Sequence, residues 1–180
     1  MLLRVLRSLA LFARRRALGS KRKAAEVQLT KNFTLQEFFS GGQFGAKTEA
    51  IPPGFIPNVQ RLAEQLQVIR DEVGALKVAS GYRTPEHNRK VGGSPKSQHL
   101  QAKAADLHPL EVSVEKLQET VKRLIDEGKI HNGGLGLYDW GVHYDIRDNS
   151  ARWGYRTIKR AAKGGGAALL VALVAYLILK

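Results

Sequence analysis

The chain has 180 residues, which allows one modest domain with tails, and its lack of cysteine excludes disulfide bonds and thiolate metal ligands. Its 29 basic and 16 acidic residues give a net charge of +13, but residues 1–31 carry +8 and residues 152–180 carry +6. Residues 32–151 are left with a charge of −1, so the basic face by which a folded domain binds nucleic acid is not expected there.

Residues 1–31 are predicted to form a basic tail, either amphipathic or disordered. A helical face would collect the apolar side chains Leu2, Leu6, Leu9 and Ala13, which suits a membrane surface. A secretory signal is disfavoured, because arginines at 14–16 stand where the cleavage site would need small residues. Two interpretations stay open: the tail contacts a membrane or nucleic acid, or it is a solvated disordered segment.

Residues 32–151 are predicted to form an α+β domain with a small, mainly antiparallel sheet and flanking helices. Thr34 and Glu37 form a capping box that opens a short helix through Phe39, and glycines at 41, 42 and 45 make a loop. Apolar periodicity predicts helices from Pro57 to about Val73 and from Val112 to about Glu127. Short apolar or alternating segments predict strands at 77–80, 104–108, 135–138 and 142–146.

Residues 152–163 are predicted to be a basic linker, and residues 164–179 a transmembrane helix. The latter segment has 16 residues without a charge, which would span about 24 Å against a hydrocarbon core of about 30 Å. Snorkelling of Lys163 and Lys180 would cover the difference. A buried core helix is the alternative.

Several short motifs carry the chemistry of the domain. Ser80-Gly-Tyr-Arg83 is followed by Ser97-Gln-His99, then by Asp106, and at a distance by His143-Tyr-Asp145. In these motifs, and over about two thirds of the chain from Phe33 onward, the sequence resembles the zinc peptidoglycan peptidases. That family includes D-alanyl-D-alanine carboxypeptidases, D-Ala-D-Ala dipeptidases and phage L-alanyl-D-glutamate endopeptidases, and its fold is similar to the hedgehog signalling domain.

The resemblance implies that His99, Asp106 and His143 bind Zn²⁺. Imidazole nitrogen and carboxylate oxygen are suitable zinc ligands, and three protein ligands leave a fourth position open, as in catalytic rather than structural sites. One departure is Ala102, which stands where the family usually has glycine. Its methyl group is tolerated easily if the backbone φ is negative and is strained otherwise.

The resemblance also implies a carboxylate that acts as the catalytic base shortly before the last histidine. Asp139 is the nearest candidate, and Asp145 is the other, with an orienting role as its alternative. Arg83 is expected to pair with the scissile carbonyl oxygen or with a substrate carboxylate, or else to tie a loop to an acidic neighbour.

Three further residues are expected to bind substrate, each with a structural role as the alternative: Ser97, Gln98 and Tyr138. The expected reaction is zinc-dependent hydrolysis of amide bonds in peptidoglycan stem peptides, of either carboxypeptidase or endopeptidase type. Peptidoglycan and membrane lipid are the expected partners, the lipid through the carboxy-terminal helix and the basic tail. A phage enzyme for lysis or for penetrating the host wall, anchored in a virion or host membrane, is the leading expectation. A bacterial wall-remodelling enzyme and a non-catalytic hedgehog-like zinc module are the alternatives.

Overall fold

The structure is a computed structural model, and it describes residues 27–39 and 50–154. The predicted amphipathic helix near the amino terminus, the glycine loop at 41–45 and the apolar segment 164–179 lie outside these residues. No helix within the described ranges combines the length and apolar character that crossing a membrane requires.

The described residues form an α+β fold with three α-helices and five strands, plus short 3₁₀ helices at Leu35–Phe38, Pro53–Phe55 and Gln98–Gln101. The α-helices are α1 (Ile56–Val73), α2 (Pro85–Lys90) and α3 (Val114–Asp126). The strands are β1 (Leu76–Ser80), β2 (Ala104–Pro109), β3 (Gly134–Tyr138), β4 (Gly141–Asp145) and β5 (Ala151–Gly154).

The five strands form one sheet in the order β1-β2-β4-β3-β5. All neighbours are antiparallel except β3 and β5, which run parallel, so the expected mainly antiparallel sheet is confirmed. Pairing of β1 with β2 shifts between Val78 and Ser80, which marks a β-bulge beside Asp106.

Alternation along the strands separates the two faces of the sheet. One face joins the hydrophobic core through Ala105, Leu107, Leu135, Leu137, Val142 and Tyr144, which pack with apolar residues of α1 and α3. The other face carries Asp106 on β2 and His143 and Asp145 on β4. The polar residues therefore have a rigid support, because their neighbours in the same strands are anchored in the core.

The two long helices follow from local signals. Pro57 stands in the first turn of α1, and Gly74, with φ of 79°, ends it. Ser113 caps α3 by accepting a hydrogen bond from the backbone N–H of Lys116. Both helices agree with the predictions to within two residues at each end, and the Thr34–Glu37 capping box is present.

Two segments extend the packed structure beyond residues 32–151. Val27 and Leu29 are buried in the core, and Gln28 bridges to Thr34. At the other end, β5 pairs with β3 through Gly154, so residues 152–154, which the sequence predicts as the start of the linker, lie in the sheet. The sequence signal for β5 is weak because the strand is only four residues long and half exposed.

Candidate metal centre

Three elements bring His99, Asp106 and His143 together, and we call these residues the metal triad. His99 lies on the 3₁₀ helix Gln98–Gln101, whereas Asp106 and His143 are directly paired residues of β2 and β4. His99 Nε2 lies 3.2 Å from His143 Nδ1 and 3.3 Å from Asp106 Oδ1, and the last two atoms are 2.9 Å apart. All three residues are buried.

The outer hydrogen bonds fix which histidine nitrogens face the centre of the triad. His99 Nδ1 lies 2.6 Å from the carbonyl oxygen of Gly81, which can only accept, so this nitrogen donates. His143 Nε2 lies 3.0 Å from Asp145 Oδ2 and donates in the same way. In the neutral imidazoles, His99 Nε2 and His143 Nδ1 are therefore bare acceptors, and the carboxylate of Asp106 is a third.

Three acceptors that face one another without a hydrogen atom between them repel, unless a cation lies among them. Zinc at about 2.0–2.1 Å from each ligand would give ligand-to-ligand edges of about 3.3 Å in a tetrahedron. Two of the observed edges, 3.2 and 3.3 Å, agree with that value, and the third, between His143 Nδ1 and Asp106 Oδ1, is shorter at 2.9 Å. The triad thus fits a zinc ion by donor type, by tautomer and by spacing.

Electrostatics favour the ligating forms of His99 and Asp106, but not that of His143. Burial lowers the pKa of His99 below its ordinary value, which favours the neutral, ligating form. Burial opposes ionisation of Asp106 too, but its pKa is held well below the usual range because His143 and His99 stabilise the carboxylate when their rings are protonated. For His143, burial favours the neutral ring, whereas hydrogen bonds to Asp106 and Asp145 outweigh it and raise the pKa.

Asp145 is fully buried behind His143 and is held from several sides. Arg147 donates to it through Nε and Nη2, at 2.8 and 2.6 Å, and the backbone N–H of Gly134 donates at 3.0 Å. A side chain at Gly134 would clash with this carboxylate, so glycine is required there. Burial alone would raise the pKa of Asp145, but the hydrogen bonds from His143 and Arg147 lower it strongly.

Arg83 holds the other acidic residue of the site. Its Nη2 donates to Asp106 Oδ2 at 2.5 Å, and its Nε donates to Ser80 Oγ at 2.8 Å, next to the bulge in β1. The guanidinium thus occupies one oxygen of Asp106 and leaves the other, Oδ1, directed at the two histidines. One of the two expectations for Arg83 was that it ties its loop to an acidic neighbour, and in the structure Arg83 forms an ion pair with Asp106.

The metal triad opens into a cleft of about 620 Å³. One side is an aromatic wall of Tyr138, Trp140 and Trp153. Trp140 stacks on Tyr138 with ring centroids 5.0 Å apart and planes at 5°, and Trp153 donates from Nε1 to the Tyr138 hydroxyl at 2.9 Å. The Trp153 ring also lies 5.1 Å from that of His143. The wall therefore runs from an exposed tryptophan to a metal-site residue.

The structure brings most of the predicted site residues to this cleft. Arg83, Ser97, Gln98 and Tyr138 line it together with the metal triad. Ser97 also caps the 3₁₀ helix, since its Oγ accepts from the backbone N–H of His99. Asp139 is exposed in the turn between β3 and β4 and is not among the lining residues, and Asp145 lies behind His143.

Sequence reasoning missed three charged or aromatic side chains that line the cleft: Lys96, Arg147 and Trp153. Arg147 follows Asp145 by two residues, and that spacing was its one available signal, because residues two apart in an extended chain face the same side. Trp153 reaches the site only through the parallel pairing of β5 with β3, which places it opposite Gly136. A side chain at Gly136 would clash with the Trp153 indole.

Ala102 adopts the left-handed conformation, with φ of 53° and ψ of 31°. It is the one non-glycine residue with positive φ in the described part of the chain, and it is buried. Of the two possibilities that the sequence left open for Ala102, unstrained with negative φ or strained with positive φ, the structure shows the strained one. The strain costs about 1–2 kcal/mol relative to a right-handed conformation.

The sequence profile of the peptidase M15 family matches residues 31–145. The chain belongs to the peptidase M15 family. Peptidases of the M15 family are zinc-dependent, and the metal triad supplies residues that can hold the ion. Membership supports a metallopeptidase with peptidoglycan as its substrate, and it confirms the predicted resemblance. No curated protein matches the sequence significantly.

Proposed function

We propose that the protein hydrolyses amide bonds in the stem peptides of peptidoglycan at a single zinc ion. The observation that carries the proposal is the convergence of three metal-binding acceptor atoms at the base of an open cleft, each oriented by a further hydrogen bond. In such a site zinc polarises a carbonyl group and activates a water molecule, which is the chemistry that amide hydrolysis needs.

Other residues of the cleft would orient the zinc ligands, bind the scissile carbonyl oxygen and position the peptide. Arg83 fixes Asp106 in its ligating orientation and, from its position in the cleft, would also bind the scissile carbonyl oxygen. Asp145 would orient His143 and raise its basicity, as carboxylates do behind metal-binding histidines. The aromatic wall and Gln98 would position the peptide.

The proton must be carried from water to the departing amine by another group. We assign Asp145 the positioning role rather than the role of base, because its oxygens already accept from Arg147, Gly134 and His143 and its pKa is strongly lowered. Asp139 is then the remaining candidate. It is exposed between Tyr138 and Trp140, two residues of the cleft, so substrate binding would need to bring it toward the scissile bond.

The decisive experiment measures turnover of purified peptidoglycan by the full chain. Release of new amino and carboxyl groups should stop when a chelator removes the metal and return when zinc is added. The matched control is His87→Ala, since His87 lies on α2 outside the metal triad and should leave zinc content unchanged. A protein that binds one zinc ion and yet hydrolyses no peptidoglycan would instead be a non-catalytic zinc module.

We further infer that the enzyme serves a bacteriophage in lysis or in penetrating the host wall, with bacterial wall remodelling as the competing setting. A small catalytic domain flanked by a basic tail and an uncharged carboxy-terminal segment supports this. Lys159, Arg160 and Lys163 border the segment on the side of the domain, which would keep the domain in the cytoplasm or inside a virion. Peptidoglycan would then be reached during infection or when the membrane is breached.

Membrane anchoring is tested by deleting residues 164–180. The truncated protein should remain an active peptidase in solution, whereas the full chain should float with liposomes in a density gradient. Full-length protein that stays wholly in the aqueous fraction would contradict the anchor and favour a core helix for this segment.

A further inference from the structure

Lys96 differs from the other cations of the cleft in its partners. Three cationic side chains line the cleft: Arg83, Lys96 and Arg147. Arg83 is paired with Asp106, and Arg147 with Asp145. Within residues 27–39 and 50–154, Lys96 has no ion pair, and Asp106 is the one carboxylate that lines the cleft. Lys96 is exposed and, among the described residues, adds an unpaired positive charge to the cleft that contains the metal triad.

The backbone that carries Lys96 is held in place, so its side chain starts from a fixed point. We call residues 91–97 the rim loop. Asn88 is almost fully buried below it and donates from Nδ2 to the carbonyl oxygens of Gly93 and Ser94, at 3.1 and 2.9 Å. The backbone N–H of Lys96 donates to Ser94 Oγ at 3.2 Å. The next residue, Ser97, caps the helix that contains His99.

We propose that Lys96 binds a carboxylate of the substrate and thereby selects the amide bond that is cut. The inference rests on the proposed peptidase function and deepens it. A compact ammonium on a flexible stem suits a single carboxylate at variable distance. Among the described residues the one carboxylate that lines the cleft, Asp106, is already paired with Arg83, which leaves a substrate carboxylate as the partner of Lys96. The carboxylates of a stem peptide include the terminal carboxylate and the α-carboxylate of γ-linked glutamate.

Three synthetic stem peptides of one sequence distinguish these sources. The first carries both carboxylates, the second has its terminus amidated, and the third has the glutamate α-carboxylate amidated. With the wild-type chain loaded with zinc, amidation of the group that Lys96 binds should raise KM about 2- to 5-fold, as expected for an ion pair with an exposed side chain. Amidation of the other group should change KM little.

Lys96→Gln should abolish this discrimination, with kcat nearly unchanged. For the peptides that retain the carboxylate bound by Lys96, KM should rise to the value that the wild type shows for the peptide in which that carboxylate is amidated. Lys96→Arg should keep it. Lys116→Gln removes the same charge from the exposed first turn of α3 and should behave as wild type. Unchanged zinc content would show that the metal triad is intact in each variant.

Two results would overturn the proposal while leaving the peptidase function in place: Lys96→Gln with wild-type KM for all three peptides, or an equal loss for all three. Failure of the wild-type, zinc-loaded chain to hydrolyse any of the peptides or intact peptidoglycan would reject the function itself and this role of Lys96 with it.

Discussion

Replacement of Asp145 by asparagine separates its orienting role from a role as base. The carboxylate accepts hydrogen bonds from His143, Arg147 and the backbone of Gly134, whereas an asparagine has only one accepting oxygen. If the NH₂ group takes the place of Oδ2, it faces His143 Nε2 and Arg147 Nη2. If it takes the place of Oδ1, it faces Arg147 Nε and the backbone N–H of Gly134. At least one charge-assisted hydrogen bond is therefore lost in a fully buried position.

The size of the effect follows from these contacts. Loss of a bond to a charged group costs about 1.5–3 kcal/mol, and Arg147 can recover part of this because about a third of its side chain is exposed. We expect the free energy of unfolding of the zinc-free protein to fall by about 2–3 kcal/mol. Zinc affinity should fall about 10- to 100-fold, as for other carboxylates that orient a metal-bound histidine.

The assays are denaturant unfolding in the presence of a chelator and zinc competition against a chromophoric chelator. Asp139→Asn is the matched control, because it makes the same chemical change in an exposed turn. It should keep wild-type stability and zinc affinity, yet lose about 10²–10⁴-fold in rate if Asp139 is the base. Wild-type zinc affinity in Asp145→Asn would refute the orienting role, and small, equal rate losses in both variants would reject both acids as the base.

Alanine at any position of the metal triad should abolish stoichiometric zinc binding and hydrolysis, which metal analysis and turnover would measure; one variant that keeps both would refute the ligand set. Zinc affinity should decrease as the pH falls through the pKa of His143, because the protonated ring cannot ligate and its hydrogen bonds to Asp106 and Asp145 hold that pKa above the ordinary value despite burial. In Asp145→Asn the midpoint of this decrease, followed by chelator competition at several pH values, should move to lower pH, since one of the interactions that raise the pKa is gone. Ala102→Gly should change the free energy of unfolding by less than about 1 kcal/mol, because relief of the left-handed strain is offset by a lost buried methyl and a more flexible unfolded chain. Ala102→Val should lose about 2 kcal/mol or more, and a valine variant as stable as wild type would show that the backbone there relaxes freely.

The parts of the fold that the sequence predicted are those with strong local signals. In α1 and α3 the helical repeat of apolar residues continues over 18 and 13 residues, and proline, glycine or serine marks the helix ends. Four strands were predicted because their residues alternate between apolar and polar or are uniformly apolar. The helix α2 was missed because Pro85–Lys90 is only six residues long and has no apolar face. The strand β5 was missed because its pairing with β3 is parallel and non-local, which no local pattern of four residues encodes.

For the site, the motifs predicted which residues form the metal triad, but not how they are held. Nothing in the sequence indicates that Gly81 supplies the carbonyl that fixes the tautomer of His99, since that contact spans 18 residues and uses the backbone. The left-handed conformation of Ala102 could not be predicted either, because an alanine in the sequence does not indicate a positive φ. The sequence allowed Arg83 to pair with an acidic neighbour, and only the tertiary structure identifies that neighbour as Asp106.

The direct pairing of Asp106 with His143 across β2 and β4 also bears on the order of events during folding. These residues are 37 positions apart, and His99 and His143 are 44 apart, so the binding atoms meet only after distant parts of the chain have joined. A slip of β4 by one residue would turn His143 to the opposite face of the sheet and bring a core side chain to the metal side. A metal ion can therefore bind tightly only to chains whose strands are aligned correctly. Its binding stabilises these chains and shifts the folding equilibrium away from misaligned ones.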